Sequence, residues 1–95
     1  MGKGAKIMER TQITEEQIEL ALQLLKDKLK YRLKQKGYGT FASTHEIAGV
    51  LDEEHRELKE TVHYNNMEDF EKELLDIAVG AVFGVACVQA KTLDW

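Results

Sequence analysis

At 95 residues, with 43% hydrophobic and 32% charged side chains, the chain is one domain at most, with room for only a thin core. A formal net charge of −4 and a pI near 5.4 argue against a nucleic-acid binder, which carries a basic face. The single cysteine, Cys87, excludes an internal disulfide, and its apolar setting suits a buried thiol in a reducing compartment.

Proline is absent, as suits a chain that is helical nearly throughout. Residues 1–12 read as a flexible segment ahead of an all-α domain over 13–95. No apolar stretch follows Lys3, Lys6 and Arg10, so a signal peptide is not expected. Met1-Gly2 opens like a myristoylation site, but Lys6 stands where that motif needs Ser or Thr.

The first predicted helix runs from Thr14 to about Gln35. Thr14 and Gln17 form a capping box. Ile18, Leu22, Leu25, Leu29 and Leu33 recur at helical spacing and make one apolar stripe. Acidic residues lead and basic residues trail (Lys26 to Lys36), which complements the helix dipole. Gly37 and Gly39 end the helix.

A second helix starts near Ser43, where Ser43 and Glu46 read as another capping box, and ends around His63. Its apolar positions are Ile47, Val50, Leu51, Leu58 and Val62. Asn66 caps a third helix with Glu68 and Asp69 in the first turn. That helix carries Phe70, Leu74, Ile77, Ala81, Gly84 and Val88 along one face. From Ile77 it is apolar on every side, and such a helix has to be buried all round. Two further helices in a short chain do not supply that cover. Gly80 and Gly84 also permit close helix approach. The expectation is a bundle of about three helices per chain, completed by oligomerisation through the third helix. The longest uninterrupted apolar run, Ile77 to Val88, is twelve residues, short of the about 20 of a membrane span, so a cytoplasmic protein is expected.

Chemistry-bearing residues cluster on the last two helices. At about 100° per residue, Glu54 falls roughly 20° from Ile47, inside the apolar face of the second helix, and Glu57 falls roughly 20° from Val50. Carboxylates so placed are costly unless a cation or hydrogen-bond partner meets them. Glu73 and Asp76, at i and i+3 on the third helix, reach one side of it, and Glu73 borders its apolar face. The pattern is Glu-x-x-Glu and then Glu-x-x-Asp, fifteen residues apart. In an antiparallel hairpin the four acids converge. All-oxygen ligation of this kind favours Mg²⁺ or Mn²⁺ over Zn²⁺ and leaves coordination places for water and phosphate.

The run Glu53-Glu54-His55-Arg56-Glu57-Leu58, followed by Glu73-Leu74-Leu75-Asp76-Ile77, resembles the signature of the MazG-like, all-α nucleoside triphosphate pyrophosphatases. The likeness extends over roughly 41–88. It implies hydrolysis of nucleoside triphosphates, often non-standard or deoxy forms, to monophosphate and pyrophosphate. It also implies Glu54, Glu57, Glu73 and Asp76 as metal ligands, Glu53 or Glu54 as the group that orients the attacking water, and assembly as a homodimer or homotetramer. Many members continue into a phosphate-gripping segment after the Glu-x-x-Asp helix. Here only Lys91 follows, so Lys30, Tyr31 and Lys34 of the first helix join Lys91 as candidate substrate contacts. Tyr38, Phe41 and Trp95 are further candidates for stacking on a base, or for packing.

Other motifs fail on spacing. His45-Glu46 opens like a zinc-protease motif, but Gly49 stands where the second histidine belongs. Glu60-x-x-His63 matches one half of a di-iron pair, occurs once, and faces away from the apolar stripe. Two alternatives to an enzyme stay open: a non-catalytic helical interaction module, and a degenerate member that binds nucleotide without cleaving it. An inward Glu54 separates the first from the metal reading, because an interaction module has no reason to bury it.

Overall fold

A computed structural model describes residues 10–95. Most of the expected flexible segment 1–12 lies outside the described residues, and Arg10 to Gln12 have no regular structure. Three helices account for the fold: α1 (Glu15–Lys36), α2 (Thr44–His63) and α3 (Met67–Ala90). The described residues form no strand, only one isolated bridge between Ser43 and Asp94. The fold is all-α, as the sequence requires.

Each helix begins where its cap dictates. Thr14 Oγ1 accepts from the Gln17 backbone N–H at 3.1 Å, and Gln17 Oε1 accepts from the Thr14 N–H at 2.8 Å, closing the box. The box at Ser43 is only half formed. Ser43 Oγ accepts from the Glu46 N–H, but Glu46 Oε1 reaches one residue further back, to the Ala42 N–H at 2.6 Å. The backbone here is tied instead to the C-terminal segment, through Thr44 N–H to Asp94 O and Asp94 N–H to Ala42 O. Asn66 Oδ1 caps α3 through the Asp69 N–H. Gly37, at φ 84°, terminates α1 in a conformation that L side chains avoid.

The central element is α3. It packs along α2 and more lightly on α1, while α1 and α2 do not pack directly on each other. Only the C-terminal half of the α1 stripe is covered: Leu25, Leu29 and Leu33 are half-buried, while Ile18 and Leu22 stay exposed.

The stripe expected on α3 is corrected. Of its six residues Phe70 and Ile77 are half-buried and Gly84 is buried, but Leu74, Ala81 and Val88 are exposed, and the inward side also carries Glu73, Asp76, Val79, Gly80, Phe83 and Cys87. The face is turned by roughly one residue, about 100°. A segment apolar on all sides contains no periodic signal to fix its rotation. The glycines fix it. A Cβ on Gly80 would stand 3.3 Å from Leu51 Cδ2, and one on Gly84 3.4 Å from Ile47 Cδ1. Both glycines therefore serve close packing of α3 on α2 within one chain, not the approach of a second copy for which the sequence suggested them.

Among the described apolar side chains only Val79 and Cys87 are buried, so the core is thin. Cys87 is a free, buried thiol, met by the Thr40 hydroxyl at 3.2 Å. Phe41 and Phe83 stack edge to face, with centroids 5.5 Å apart. Gly49, by contrast, sits on an exposed turn of α2 with nothing near its missing side chain. Gly49→Ala is expected to stabilise the chain by about 0.5–1 kcal/mol, because helix formation costs alanine less backbone entropy. Urea denaturation measures this, and a lowered midpoint would contradict it.

By length and composition α3 is capable of crossing a membrane: its most apolar 18-residue window has mean hydropathy 1.7 and at most two charges. Such a window has to begin at Glu73, since Lys72 would add a third charge. Counting only uninterrupted apolar residues, as above, does not detect it.

Candidate metal centre

The acids meet where α2 and α3 pack. Glu54 is half-buried on α2, one turn from Leu51 and Leu58. Its Oε1 would lie 3.7 Å from a Cβ on Gly80, so the absent side chain of Gly80 gives it room. Across the packing, Glu73 and Asp76 are half-buried on α3. Their neighbour Glu57 is exposed at the rim, against the expectation of an inward or core-edge position.

These groups feel one another. Burial, and after it the Asp76 charge, holds the Glu54 carboxyl above the usual carboxylate range; Arg32 opposes the rise, while Glu73 and Glu57 add to it. Glu73 is raised likewise, by burial first and then by the charges of Asp76 and Glu57, with Lys28 opposing and a side-chain hydrogen bond with Glu57 adding to the rise. Glu73 Oε1 is closed off from solvent and has no hydrogen-bond partner. Leaving such an oxygen unpaired costs about 1–3 kcal/mol, more when it is charged.

Two cations of α1 enter the same place. Lys28 Nζ stands 3.0 Å and Arg32 Nη1 3.1 Å from the same oxygen, Asp76 Oδ1. All three side chains are at least two-thirds covered. Lys28 and Arg32 both belong to the basic run Lys26 to Lys36, but the substrate contacts expected from that run were Lys30 and Lys34. The signal was available. At about 100° per residue Arg32 falls roughly 20° from Leu25, beside the edge of the α1 stripe.

The other candidates stand apart from this group. Glu53 is exposed on α2. Lys30 and Lys34 are exposed on the outer side of α1, and Tyr31 bonds Gln35 through its hydroxyl at 2.9 Å. Lys91 caps the far end of α3, about 22 Å along the axis from Asp76 at 1.5 Å per residue, beyond a lysine's reach within one chain. Tyr38 and Trp95 are exposed, and Phe41 packs on Phe83.

Two hollows flank the acids. A cleft of about 250 Å³ between α1 and α2 has Leu29, Leu33, Phe41, Val50, Val79 and Phe83 as apolar walls, with Arg32 and Asp76 at its polar edge. On the other side, a trough of about 380 Å³ is lined by Glu57, Glu60, Asp69 and Glu73, with Thr61, Tyr64 and Asn66. Glu60 and Asp69 were not expected there. Asp76 thus borders one hollow, Glu57 and Glu73 the other.

The donor set suits a hard divalent ion: carboxylate oxygens only, one of them buried without a partner. Its geometry is open, for among the described residues no three acidic, histidine or cysteine side chains stand close enough together to hold a metal. Fold and site together define a class: a three-helix all-α chain whose α2–α3 packing gathers Glu54, Glu73 and Asp76 with Glu57 at the rim, and whose α1 sets Lys28 and Arg32 on Asp76. Comparison with protein-family models, with curated proteins and with solved structures returned no match.

Proposed function

We propose that the chain is a Mg²⁺-dependent nucleoside triphosphate pyrophosphohydrolase of the MazG-like kind, acting on ribo- or deoxynucleoside triphosphates as a homodimer or homotetramer in the cytoplasm. The observation that carries this reading is Glu73 Oε1, buried and unpaired among four carboxylates. A purely structural packing would gain by replacing it with an apolar group.

Glu54, Glu57, Glu73 and Asp76 would hold Mg²⁺, or Mn²⁺ in its place. Such an ion neutralises polyphosphate charge and acidifies bound water. Glu54, half-buried among the acids, is the first candidate to take the proton of the attacking water. The new bond forms at the α-phosphorus, the bond to the bridging oxygen breaks, and pyrophosphate carries that electron pair away. Glu53, exposed one residue before, is the second candidate for orienting the water. The apolar cleft edged by Arg32 and Asp76 is the nearest place for a base or sugar.

A panel of ribo- and deoxynucleoside triphosphates with Mg²⁺, assayed for pyrophosphate, tests the reading. Release that EDTA abolishes is expected; no release from any member would contradict it. One observation favours a second reading, a helical interaction module: the exposed apolar side of α3 and of the first half of α1. That reading gives the four acids no task, and it predicts no effect of Mg²⁺ on the protein.

A further inference from the structure

Besides the stripe that packs on α3, α1 carries a second apolar side. Leu20, Leu24 and Tyr31 fall within roughly 40° of one another on the helix, and roughly 150° from the middle of that stripe. All three are exposed, Leu20 the most, at 67%. The charges beside them are ordered along the helix. Glu16 and Glu19 stand near its start, Lys30 and Lys34 towards its end, and all four are exposed. Glu16 and Lys34 are 18 residues apart, about five whole turns, so they share one angle on the helix. Glu19 and Lys30 differ by only roughly 20°. The midpoints of the two pairs nearly coincide, at residue 25 and just before it.

A face of this kind complements itself. A two-fold axis crossing α1 near residue 25 reverses the helix and keeps each flank on its own side, so acid meets base at both ends. We infer that the outer side of α1 docks antiparallel on the same side of α1 in a second copy. The two Leu24 side chains meet at the axis, Leu20 packs on the partner's Tyr31, and Glu16 pairs with the partner's Lys34. Asp27, near the centre of the seam, is already met by Gln23 Nε2 at 2.9 Å. A parallel pairing sets Glu16 on Glu16 and Lys34 on Lys34, and like charges so placed repel. The inference deepens the homo-oligomer part of the reading above and rests on it. This side of α1 points away from α3, so it is a different surface from the exposed side of α3. A single α1 pair is weak, with three apolar side chains per copy and ion pairs in solvent. Two such pairs between dimers already joined through α3 act together, because the second closes within one assembly. The assembly is then a tetramer built from two kinds of isologous contact.

Sedimentation velocity at micromolar concentration tests it, with circular dichroism to check that each variant is helical. Wild type is expected as a tetramer and Leu20→Glu/Leu24→Glu as a dimer. Glu16→Lys and Lys34→Glu, each alone, are expected to raise the tetramer–dimer dissociation constant at least about tenfold, since the reversed pair recurs twice in each α1 contact. Combined in one chain, the two reversals are expected to bring the constant back to within about threefold of wild type, because opposite charges face each other again. These charge variants alter only exposed side chains, so they decide the matter if the leucine variant does not fold. A tetramer unmoved by Leu20→Glu/Leu24→Glu overturns the inference, and so does a combined charge variant that associates no more tightly than its two parents. A wild type that stops at the dimer overturns it as well and leaves the homo-oligomer reading standing. A monomeric wild type overturns both.

Discussion

Glu73→Gln is expected to make the metal-free chain more stable and, in the same protein, to reduce pyrophosphate release by roughly a hundredfold or more. The two effects share one cause. Glu73 is half-buried beside Asp76 and Glu57, and its ionised form is disfavoured there. Its folded pKa is above its unfolded one, so between the two values the folded state binds more protons. Folding is therefore strengthened as pH falls through the raised pKa towards the ordinary range near 4.5, and weakened as pH rises through it. Glutamine removes the charge and with it this pH dependence. A metal ligand, by contrast, is needed ionised. Losing several kcal/mol of charge stabilisation at 1.36 kcal/mol per factor of ten gives the stated loss of rate. Glu54→Gln should behave in the same way, since burial and Asp76 raise it too. Thermal melts in EDTA from pH 5 to 8, beside pyrophosphate assays in Mg²⁺, measure both. A variant less stable than wild type at pH 8 would show that Glu73 is compensated after all.

The second large effect concerns assembly. Val85→Glu/Val88→Glu is expected to convert the protein from an oligomer to a monomer at micromolar concentration. Val85 is 56% and Val88 60% exposed, on the side of α3 turned away from α1 and α2, with Leu74 and Val82 exposed near them. Two valines from each of two copies, at roughly 1 kcal/mol apiece, come to about 4 kcal/mol, or about a thousandfold in dissociation constant. The two carboxylates add a desolvation cost in the same direction. Sedimentation velocity decides it: a wild type that is already monomeric contradicts the homo-oligomer proposal. Because Val85 and Val88 lie nine and twelve residues beyond Asp76, about 13 and 18 Å along α3 at 1.5 Å per residue, the monomeric variant should still bind Mn²⁺.

How much of this could be read from residues alone differs from element to element. Helix starts were legible, because Thr14, Ser43 and Asn66 each satisfy a backbone N–H that would otherwise be unpaired. The inward position of Glu54 was legible too, since α2 has a clean apolar stripe against which a charge stands out. The rotation of α3 was not: with valine and alanine on every side, only the distances of Ile47 and Leu51 from Gly84 and Gly80 reveal which way it faces. That misreading put Asp76 outside the apolar face, when it is the residue to which α1 is anchored. Lys28 and Arg32 escaped for another reason. Six basic residues follow one another along the end of α1, and a charge run draws attention to its exposed members rather than to the two that point inward. The partner of Glu46 was beyond sequence, because a segment fifty residues away, at Asp94, determines the backbone at Ser43.

The central claim is that water attacks the α-phosphorus of a nucleoside triphosphate at this group of acids. Hydrolysis in ¹⁸O-labelled water with Mg²⁺, followed by mass spectrometry of the products, tests it most directly. One ¹⁸O is expected in the nucleoside monophosphate, none in the pyrophosphate, and turnover by Glu73→Gln reduced roughly a hundredfold or more. Label in orthophosphate or pyrophosphate, or no hydrolysis of any nucleotide by the folded wild-type protein, would contradict it.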